Sequence, residues 1–349
     1  MELFALDIGN RQVKIKSEKT LKVLPAYFVE SSKYGDRMTM NLRGGKRQTS
    51  DYVSNKDDAF TYVWGKDLDV DIVKPTDSIG FTNRYESREF KLLVDFALAE
   101  LARDYPHASE SMLEVVVVTG VPTGDYMQND ILFALSKAIK GDHSVVVDDL
   151  SLNIRVKEVF VVPQPMGTVI DTMVDDQGAM QENPIEESTV GIADIGGGTL
   201  LIDLLRKMNM ETNKREQLSE GAYTLYEAIK RELNRDGHHI SVYEIEQMVR
   251  EGSATNEYYW SPNGKTTLDF TQVVMRERIK YTRDTASSIK AVYKEFDRMQ
   301  AVLVTGGAAN LLVKSEFASA IPNAVFVNDS ETANVRGFYK YGLLQGVNA

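Results

Sequence analysis

Two stretches of the sequence share one pattern, and that pattern decides the fold. Residues 5–15 read Ala-Leu-Asp-Ile-Gly-Asn-Arg-Gln-Val-Lys-Ile, and residues 192–202 read Ile-Ala-Asp-Ile-Gly-Gly-Gly-Thr-Leu-Leu-Ile. In each stretch an apolar run ends in Asp-Ile-Gly, a short turn follows, and a second apolar run leaves the turn. The pattern predicts two β-hairpins, whose aspartates, Asp7 and Asp194, are 187 positions apart.

A second motif repeats at nearly the same separation. Val-Val-Val-Thr-Gly at 116–120 corresponds to Val-Leu-Val-Thr-Gly at 302–306, which lies 186 positions later. Two motif pairs with nearly one separation indicate two related halves, each with a hairpin and a later buried strand that ends in Thr-Gly. Strand and helix patterns alternate between these landmarks, which predicts an α/β fold with mixed sheets.

Apolar periodicity and capping signals predict the helices. They are expected at about residues 87–104, from just after Asp125 to about 139, at 222–235, 241–251, 269–296, 310–318 and 334–345. Ser241 and Glu244 have the spacing of a capping box, and Asn310 is the predicted cap of its helix. Residues 31–60 contain few apolar anchors, and we interpret them as a surface insertion.

The composition excludes several classes of protein. The 349 residues carry a formal net charge of −11 and no cysteine, so disulfides and cysteine zinc sites are excluded. An acidic surface repels DNA and RNA, and the group Arg43, Lys46 and Arg47 is too small to change that expectation. No apolar run approaches the ~18 residues of a membrane span, and the N-terminus does not resemble a signal peptide. We therefore expect a cytoplasmic protein with no membrane contact and no direct nucleic-acid binding.

Glycine turns of this kind can hold phosphate groups, because backbone N–H groups converge where no side chain blocks the approach. The stretch Asp194-Ile195-Gly196-Gly197-Gly198-Thr199 fits this description best. In the first copy, Gly9 and Asn10 form the turn, and Lys14 follows on the next strand. A purely structural hairpin and a solvent-exposed lysine are the alternative interpretations.

The two aspartates are candidate Mg²⁺ ligands, since carboxylates bind this ion, often through its water molecules. One aspartate from each half, across a cleft, would suit Mg²⁺-ATP, whereas two turn-capping aspartates are the structural alternative. The Thr305-Gly306-Gly307 turn offers a third close approach. A Walker A loop is excluded, because Tyr259 stands where the first glycine should precede Gly264-Lys265-Thr266.

In their order along the chain, these motifs resemble the superfamily of actin, the heat-shock chaperone ATPases and the sugar kinases. Five segments carry the resemblance: a first phosphate turn at 7–14, a connecting segment at 164–168, a second phosphate turn at 194–199, an adenosine loop at 305–310 and a last helix at 334–338. The resemblance implies an actin-like, ribonuclease H-like fold of two duplicated lobes with a central nucleotide cleft. We expect one lobe at residues 1–163 with a return helix at 334–349, and the other at 164–333.

Within the superfamily, the sequence most resembles the bacterial ParM-type proteins, which segregate plasmids. Thr-Gly-Val-Pro-Thr at 119–123, Gln-Pro-Met-Gly-Thr at 164–168 and Asn-Val-Arg-Gly at 334–337 carry this closer resemblance. It implies an ATPase that uses ATP and Mg²⁺ and polymerises with ATP into filaments. It also implies a small DNA-binding adaptor protein on a centromere-like site, which suits a filament protein with an acidic surface.

The resemblance also implies roles for single positions. Asp7 and Asp194 match the aspartates that hold Mg²⁺ through water, and Gln164 matches the residue that positions the attacking water. The matching nucleotide contacts are Gly9, Asn10, Lys14, Gly196, Gly197, Gly198, Thr199, Gly306, Gly307 and Asn310, with Glu246 and Arg250 beside the base. Arg11 departs from the family, which usually has a small residue there, and it either points away from the nucleotide or alters a phosphate contact.

Other members of the superfamily fit less well. A kinase needs a carboxylate base at the connecting segment, where this chain has Gln164. A chaperone ATPase would need a peptide-binding domain beyond Ala349, and a membrane-associated cytoskeletal protein would need an amphipathic terminus. A structural protein without hydrolysis would leave three phosphate-site motifs unexplained. The sequence therefore favours slow ATP hydrolysis coupled to filament dynamics.

Overall fold

The chain forms two compact units. The computed structural model describes residues 1–34, 48–66, 68, 75–78 and 83–347. The first unit comprises Met1–Gln181 and Asn334–Ala349, and the second comprises Glu182–Ala333. The boundary that the sequence suggested, between residues 163 and 164, therefore lies inside the first unit. Among the described residues, no helix is both long and apolar enough to cross a membrane.

A mixed sheet forms the frame of the first unit, with ten strands in the described part of the chain. They are β1 (Glu2–Ile8), β2 (Gln12–Lys16), β3 (Leu21–Pro25), β4 (Tyr27–Glu30), β5 (Thr49–Ser54), β6 (Tyr62–Gly65), β7 (Thr76–Asp77), β8 (Leu113–Val121), β9 (Gly141–Val147) and β10 (Leu150–Pro163). Their order across the sheet is β3-β2-β1-β8-β10-β9-β5-β6-β4-β7. Strands β1, β8 and β10 run parallel, and β2 returns antiparallel to β1.

The helices of the first unit begin with α1 (Ser31–Tyr34), α2 (Arg88–Ala102), α3 (Thr123–Tyr126), α4 (Asn129–Ile139) and α5 (Gln164–Met173). Helix α2 confirms the prediction at 87–104. It starts where the Ser87 side chain accepts a hydrogen bond from the Phe90 N–H, which satisfies one of the unpaired donors of the first turn. Its apolar residues are buried in the main core of the unit.

The prediction of a surface insertion at residues 31–60 is wrong for the part that the structure describes. Strand β5 lies inside the sheet, between β9 and β6. Its Tyr52 packs on Phe96 of α2, together with rings from β4 and β6, and the burial of these rings outweighs the polar composition of the segment. Residues 35–47, with the basic group Arg43, Lys46 and Arg47, lie outside the described residues.

A buried polar network ties α2 to its neighbours. The Asp95 carboxylate accepts a hydrogen bond from Ser54 and contacts the Lys56 ammonium. His143 Nδ1 lies 2.6 Å from Asp95 Oδ1, and its Nε2 lies 2.7 Å from the Ile139 carbonyl oxygen. Burial raises the pKa of Asp95, but the His143 hydrogen bond and the Lys56 charge outweigh burial and hold that pKa below its ordinary value.

Asp95→Asn should destabilise the first unit by about 3 kcal/mol at pH 7, because it leaves the Lys56 ammonium and the buried His143 ring without their carboxylate. Folding lowers the pKa of Asp95, so the unfolded chain binds more protons. The contribution of Asp95 is thus present above the unfolded pKa of about 3.9 and disappears as the pH falls through the folded value. Urea unfolding at pH 7 and near pH 3 measures both effects.

The matched control is Asp130→Asn, which changes an exposed carboxylate at the start of α4. It should change the free energy of unfolding by less than about 0.5 kcal/mol. A difference between wild type and Asp95→Asn that stays constant from pH 7 to pH 3 would contradict the proposed electrostatic origin.

The second unit contains a smaller mixed sheet. Its strands are β11 (Thr189–Ile195), β12 (Leu200–Arg206), β13 (Asn209–Met210), β14 (Glu216–Leu218), the separate pair β15 (Tyr259–Trp260) and β16 (Leu268–Asp269), then β17 (Ala301–Thr305) and β18 (Ala324–Phe326). Its helices are α6 (Ala222–Arg235), α7 (Val242–Gly252), α8 (Thr271–Val292) and α9 (Lys314–Ala320), after which α10 (Ala333–Leu344) carries the chain into the first unit.

The two units repeat one core arrangement, which confirms the predicted duplication. Each has an antiparallel hairpin, β1–β2 or β11–β12, with a parallel strand, β8 or β17, beside the first strand of the hairpin. The one-residue difference between the two sequence separations is visible in the register. Leu6 pairs with Thr119 in the first unit, whereas Asp194 itself pairs with Thr305 in the second.

One helix start is confirmed in the second unit. The Ser241 side chain accepts from the Glu244 N–H (3.2 Å), and the Glu244 carboxylate accepts from the Ser241 N–H (2.9 Å), which is the predicted capping box.

The prediction that a helix starts at Asn310 is wrong. Gly307–Leu311 forms a 3₁₀ turn, Asn310 is exposed, and α9 begins only after Val313. The reason lies in α8. Arg278 Nε donates to the last carbonyl of the 3₁₀ turn (2.8 Å), and Thr282 Oγ1 accepts from the Val313 N–H (2.9 Å). These bonds satisfy the backbone outside a helix and delay the start of α9.

Candidate functional site

The two hairpin turns close with the same hydrogen bond. The Gly9 N–H donates to the Gln12 carbonyl at 2.9 Å, and 187 positions later the Gly196 N–H donates to the Thr199 carbonyl at 2.8 Å. A Cβ on Gly9 would stand 3.0 Å from the Gln12 oxygen, so the first turn favours glycine. The repeated sequence pattern therefore corresponds to a repeated backbone geometry.

The aspartates that precede the turns have different neighbours. Lys14 Nζ lies 3.1 Å from Asp7 Oδ2, and the side chains are only 13% and 5% exposed. The alternative of a solvent-exposed Lys14 is therefore wrong, and its anionic partner within the first unit is Asp7. Asp194 is equally buried, but the residue that faces it across the second hairpin is the apolar Leu201.

Helix α6 begins directly against the second turn. The N–H groups of Ala222 and Tyr223 donate to the carbonyls of Gly196 and Gly197, at 3.0 and 2.9 Å. A Cβ at Gly221 would approach the Gly196 carbonyl oxygen to 2.6 Å, so the helix can start this close only with glycine at that position.

This contact orients the amides of the second turn. In a trans peptide the C=O and the following N–H point in opposite directions. Since two carbonyls face α6, the N–H groups of Gly197 and Gly198 face away from the helix. Among the described residues, neither N–H donates a backbone hydrogen bond. Neighbouring unpaired amides in a turn form an anion-binding concavity.

The predicted adenosine loop contacts Asp194 within the second unit. Gly306 has a φ of 87°, and a Cβ there would overlap with Asp194 Oδ1 and the Ile195 carbonyl. Ser330 fixes the loop from behind, because its Oγ donates to the Gly306 carbonyl at 3.0 Å and its own carbonyl accepts from the Gly306 N–H at 3.2 Å. The structure thus brings together Asp194, Gly306 and the end of β11.

The pair predicted to border the base forms an ion-paired group on α7. Arg250 Nε lies 3.0 Å from Glu246 Oε1, and its Nη1 lies 3.3 Å from Glu331 Oε1. Burial acts to lower the pKa of Arg250, but the Glu246 carboxylate and the nearby Tyr226 outweigh burial and raise it. The guanidinium is therefore held as a cation between two carboxylates.

The connecting segment and the last helix meet in the first unit. Gln164 is the first residue of α5, and α5 crosses α10 where a Cβ on Gly337 would overlap with the Gly167 carbonyl. At the same crossing Thr168 Oγ1 donates to Asn334 Oδ1 at 2.8 Å. The Phe338 ring of α10 also packs against Gly120 and leaves no room there for a side chain. The motifs at 119–123, 164–168 and 334–337, which carried the resemblance, thus share one packing site.

Family models match both parts of the chain. The model described as the actin like proteins N terminal domain matches residues 5–167, and the Alp7A C-terminal domain matches residues 189–341. The chain belongs to the actin-like proteins. Among curated proteins, none matches this actin-like chain.

Solved structures share the actin-like fold along the whole chain. The apo ParM protein of pSK41 is 24% identical, with a TM-score of 0.75 over 99% of this chain and 98% of its own. The archaeal actin homologue Ta0583 in complex with ADP is 15% identical, with a TM-score of 0.76 over 98% and 99%. A ParM from Clostridium botulinum, solved as a 15-stranded filament, is 18% identical, with a TM-score of 0.74 over 98% of each chain.

An actin-like fold implies a nucleotide with Mg²⁺, and the residues present fit such a group. Asp7 in the first unit and Asp194 in the second are each a buried carboxylate at the end of a strand, and one carboxylate together with phosphates and water suffices to bind Mg²⁺. In the described part of the chain, no cluster of three acidic or histidine side chains forms a complete protein cage for a metal ion.

Sequence reasoning missed one residue of this actin-like chain at the first turn. Arg84 Nη2 donates to the carbonyls of Ile8 and Gly9, at 2.9 and 2.8 Å. No repeat or spacing marks Arg84, because the second unit has no corresponding arginine and uses the start of α6 instead.

Gly337→Ala should destabilise the first unit by at least about 2 kcal/mol, because the added methyl must separate two helices that touch through their backbones. Urea unfolding followed by circular dichroism measures the change. Leu344→Ala, at the partly exposed end of the same helix, is the control and should cost less than about 1 kcal/mol. Equal stability of Gly337→Ala and wild type would contradict the described crossing.

Proposed function

We propose that this chain is an ATPase that polymerises with ATP into filaments and segregates plasmid DNA. The observation that carries the proposal is the pair of equivalent hairpin turns, each of which is preceded in the sequence by a buried aspartate. The amides of Gly197 and Gly198 point away from α6 and are suited to phosphate oxygens. The related archaeal structure, which contains ADP, supports a nucleotide as the ligand.

Hydrolysis is assigned to water rather than to a substrate hydroxyl. Gln164, at the start of α5, carries an amide that can orient a water molecule but cannot take its proton. Asp7 and Asp194 would hold Mg²⁺, which neutralises the charge of the terminal phosphates when bound. An orienting amide without a base favours slow hydrolysis, which suits a filament that must first assemble.

Self-assembly and an adaptor protein complete the proposal. The structure of a ParM filament among the similar structures supports assembly of this chain with copies of itself. With a net charge of −11, the filament surface repels DNA on average. We infer that a DNA-binding adaptor protein on a centromere-like site links the filament to the plasmid in the cytoplasm.

Gln164→Ala should retain ATP-dependent assembly but release phosphate about 100-fold more slowly, because the attacking water loses its orienting group. Sedimentation and light scattering with ATP, ADP and no nucleotide measure assembly, and a coupled assay measures phosphate release. Gln247→Ala, which removes an exposed amide on α7, is the control and should match wild type.

Two results would contradict these assignments separately. A wild-type chain that stays in the supernatant at high concentration with ATP would argue against the filament. Unchanged phosphate release by Gln164→Ala would remove this side chain from the hydrolytic step and leave nucleotide-dependent assembly in place.

Gly221→Ala should weaken ATP binding about tenfold, because the Cβ must push α6 away from the Gly196 and Gly197 carbonyls and release the orientation of the turn amides. Competition with a fluorescent ATP analogue measures the dissociation constant. Gly237→Ala is the matched control at the other end of α6, where φ is +83° and the space for a Cβ is open. It should lower stability but leave the affinity for ATP within about twofold.

A further inference from the structure

The carbonyls of the first turn are bound by a side chain. Arg84 lies in a short 3₁₀ turn just before α2. One nitrogen of its guanidinium, Nη2, donates to both the Ile8 and the Gly9 carbonyls. The second unit has the N-terminal amides of α6 in this role. Gly9 and Gly196 are equivalent positions, so the guanidinium and the Ala222 N–H bind the same carbonyl of the repeated turn.

The guanidinium is itself held in place. Arg84 Nε donates to Ser78 Oγ at 3.1 Å, and Ser78 is only 1% exposed. The guanidinium carbon lies 5.3 Å from the centre of the Phe90 ring, within the range of a cation–π contact. A planar group that is fixed on two sides can direct its donors, which a flexible lysine would not do as well.

The bond to Gly9 orients the next amide. The Gly9 carbonyl and the Asn10 N–H belong to one trans peptide and point in opposite directions. With the carbonyl held by Arg84, the Asn10 N–H must face away from the guanidinium. Gly197 is the equivalent position in the second unit, and its N–H is oriented in the same way by the bond between Gly196 and Ala222.

We propose that Arg84 is a positioning residue for nucleotide binding, which replaces a helix N-terminus and directs the Asn10 amide toward the terminal phosphates. The inference rests on the proposed function. Arg84 acts through the backbone of the turn and does not itself contact the nucleotide. Loss of Arg84 should therefore weaken the binding of ligands that carry terminal phosphates more than the binding of ligands that lack them.

The test measures binding of ATP and of AMP, which lacks the β- and γ-phosphates, by competition with a fluorescent ATP analogue. Arg84→Gln should weaken ATP about tenfold, as expected for one misdirected hydrogen bond to a charged group, and should leave AMP within about twofold. Arg84→Lys should recover part of the loss. Arg88→Gln, which removes an exposed arginine paired with Asp57 and Glu89, is the control and should bind both ligands like wild type.

Ser78→Ala provides a second variant, because it frees the guanidinium without removing it. It should weaken the binding of ATP about two- to threefold. If Arg84→Gln does not fold, Ser78→Ala and Arg84→Lys together test the role of Arg84. Equal loss of ATP and AMP affinity, or ATP affinity equal to that of Arg88→Gln, would overturn the role of Arg84. Failure of the wild-type chain to bind ATP would instead overturn the proposed function.

Discussion

Backbone carbonyls that point from a tight turn toward the rest of the protein need hydrogen-bond donors there, and this requirement shapes both hairpins of the chain. A buried backbone group without a partner costs as much as a lost hydrogen bond. In the second unit the first amides of α6 satisfy the Gly196 and Gly197 carbonyls, and in the first unit Arg84 satisfies those of Ile8 and Gly9. Because peptide bonds are planar and trans, satisfying the carbonyls on one side presents the amides on the other. The proposed binding of phosphate by the turns therefore depends on the donors that bind their carbonyls on the opposite side.

Close backbone contacts explain much of the remaining sequence pattern. Gly221 lets α6 reach the second turn, Gly306 lets the predicted adenosine loop reach Asp194, and Gly337 lets α10 reach α5. In each case a side chain would occupy the volume of a neighbouring backbone or carboxylate. Gly306 and Gly337 lie within motifs that carried the family resemblance, and Gly221 packs against a third, so close packing accounts for part of these motifs.

The sequence allowed the duplicated α/β fold to be predicted, because both hairpins and both Thr-Gly strands have short-range patterns that repeat. The capping box of Ser241 was predictable for the same reason. Strand β5 was not, since Tyr52 is buried by rings that are distant in the chain. The late start of α9 after Asn310 depends on Arg278 of α8. The Asp7 partner of Lys14 depends on the register of the hairpin. Site roles such as that of Gln164 rest on resemblance and stay predictions.

A side chain donates to the carbonyls of the first turn, whereas backbone amides donate to those of the second. This difference has a consequence for how the sequence can diverge. Any residue except proline supplies a backbone N–H, so positions 222 and 223 can change over generations without loss of their hydrogen bonds to the turn. The first turn depends on one codon, since no other side chain reproduces the planar donors of Arg84. The second turn is sensitive at a different position, because only glycine at 221 lets α6 approach its carbonyls. The two copies of the turn are thus sensitive to mutation in different ways, the first at a side chain that must donate and the second at a residue that must lack a side chain.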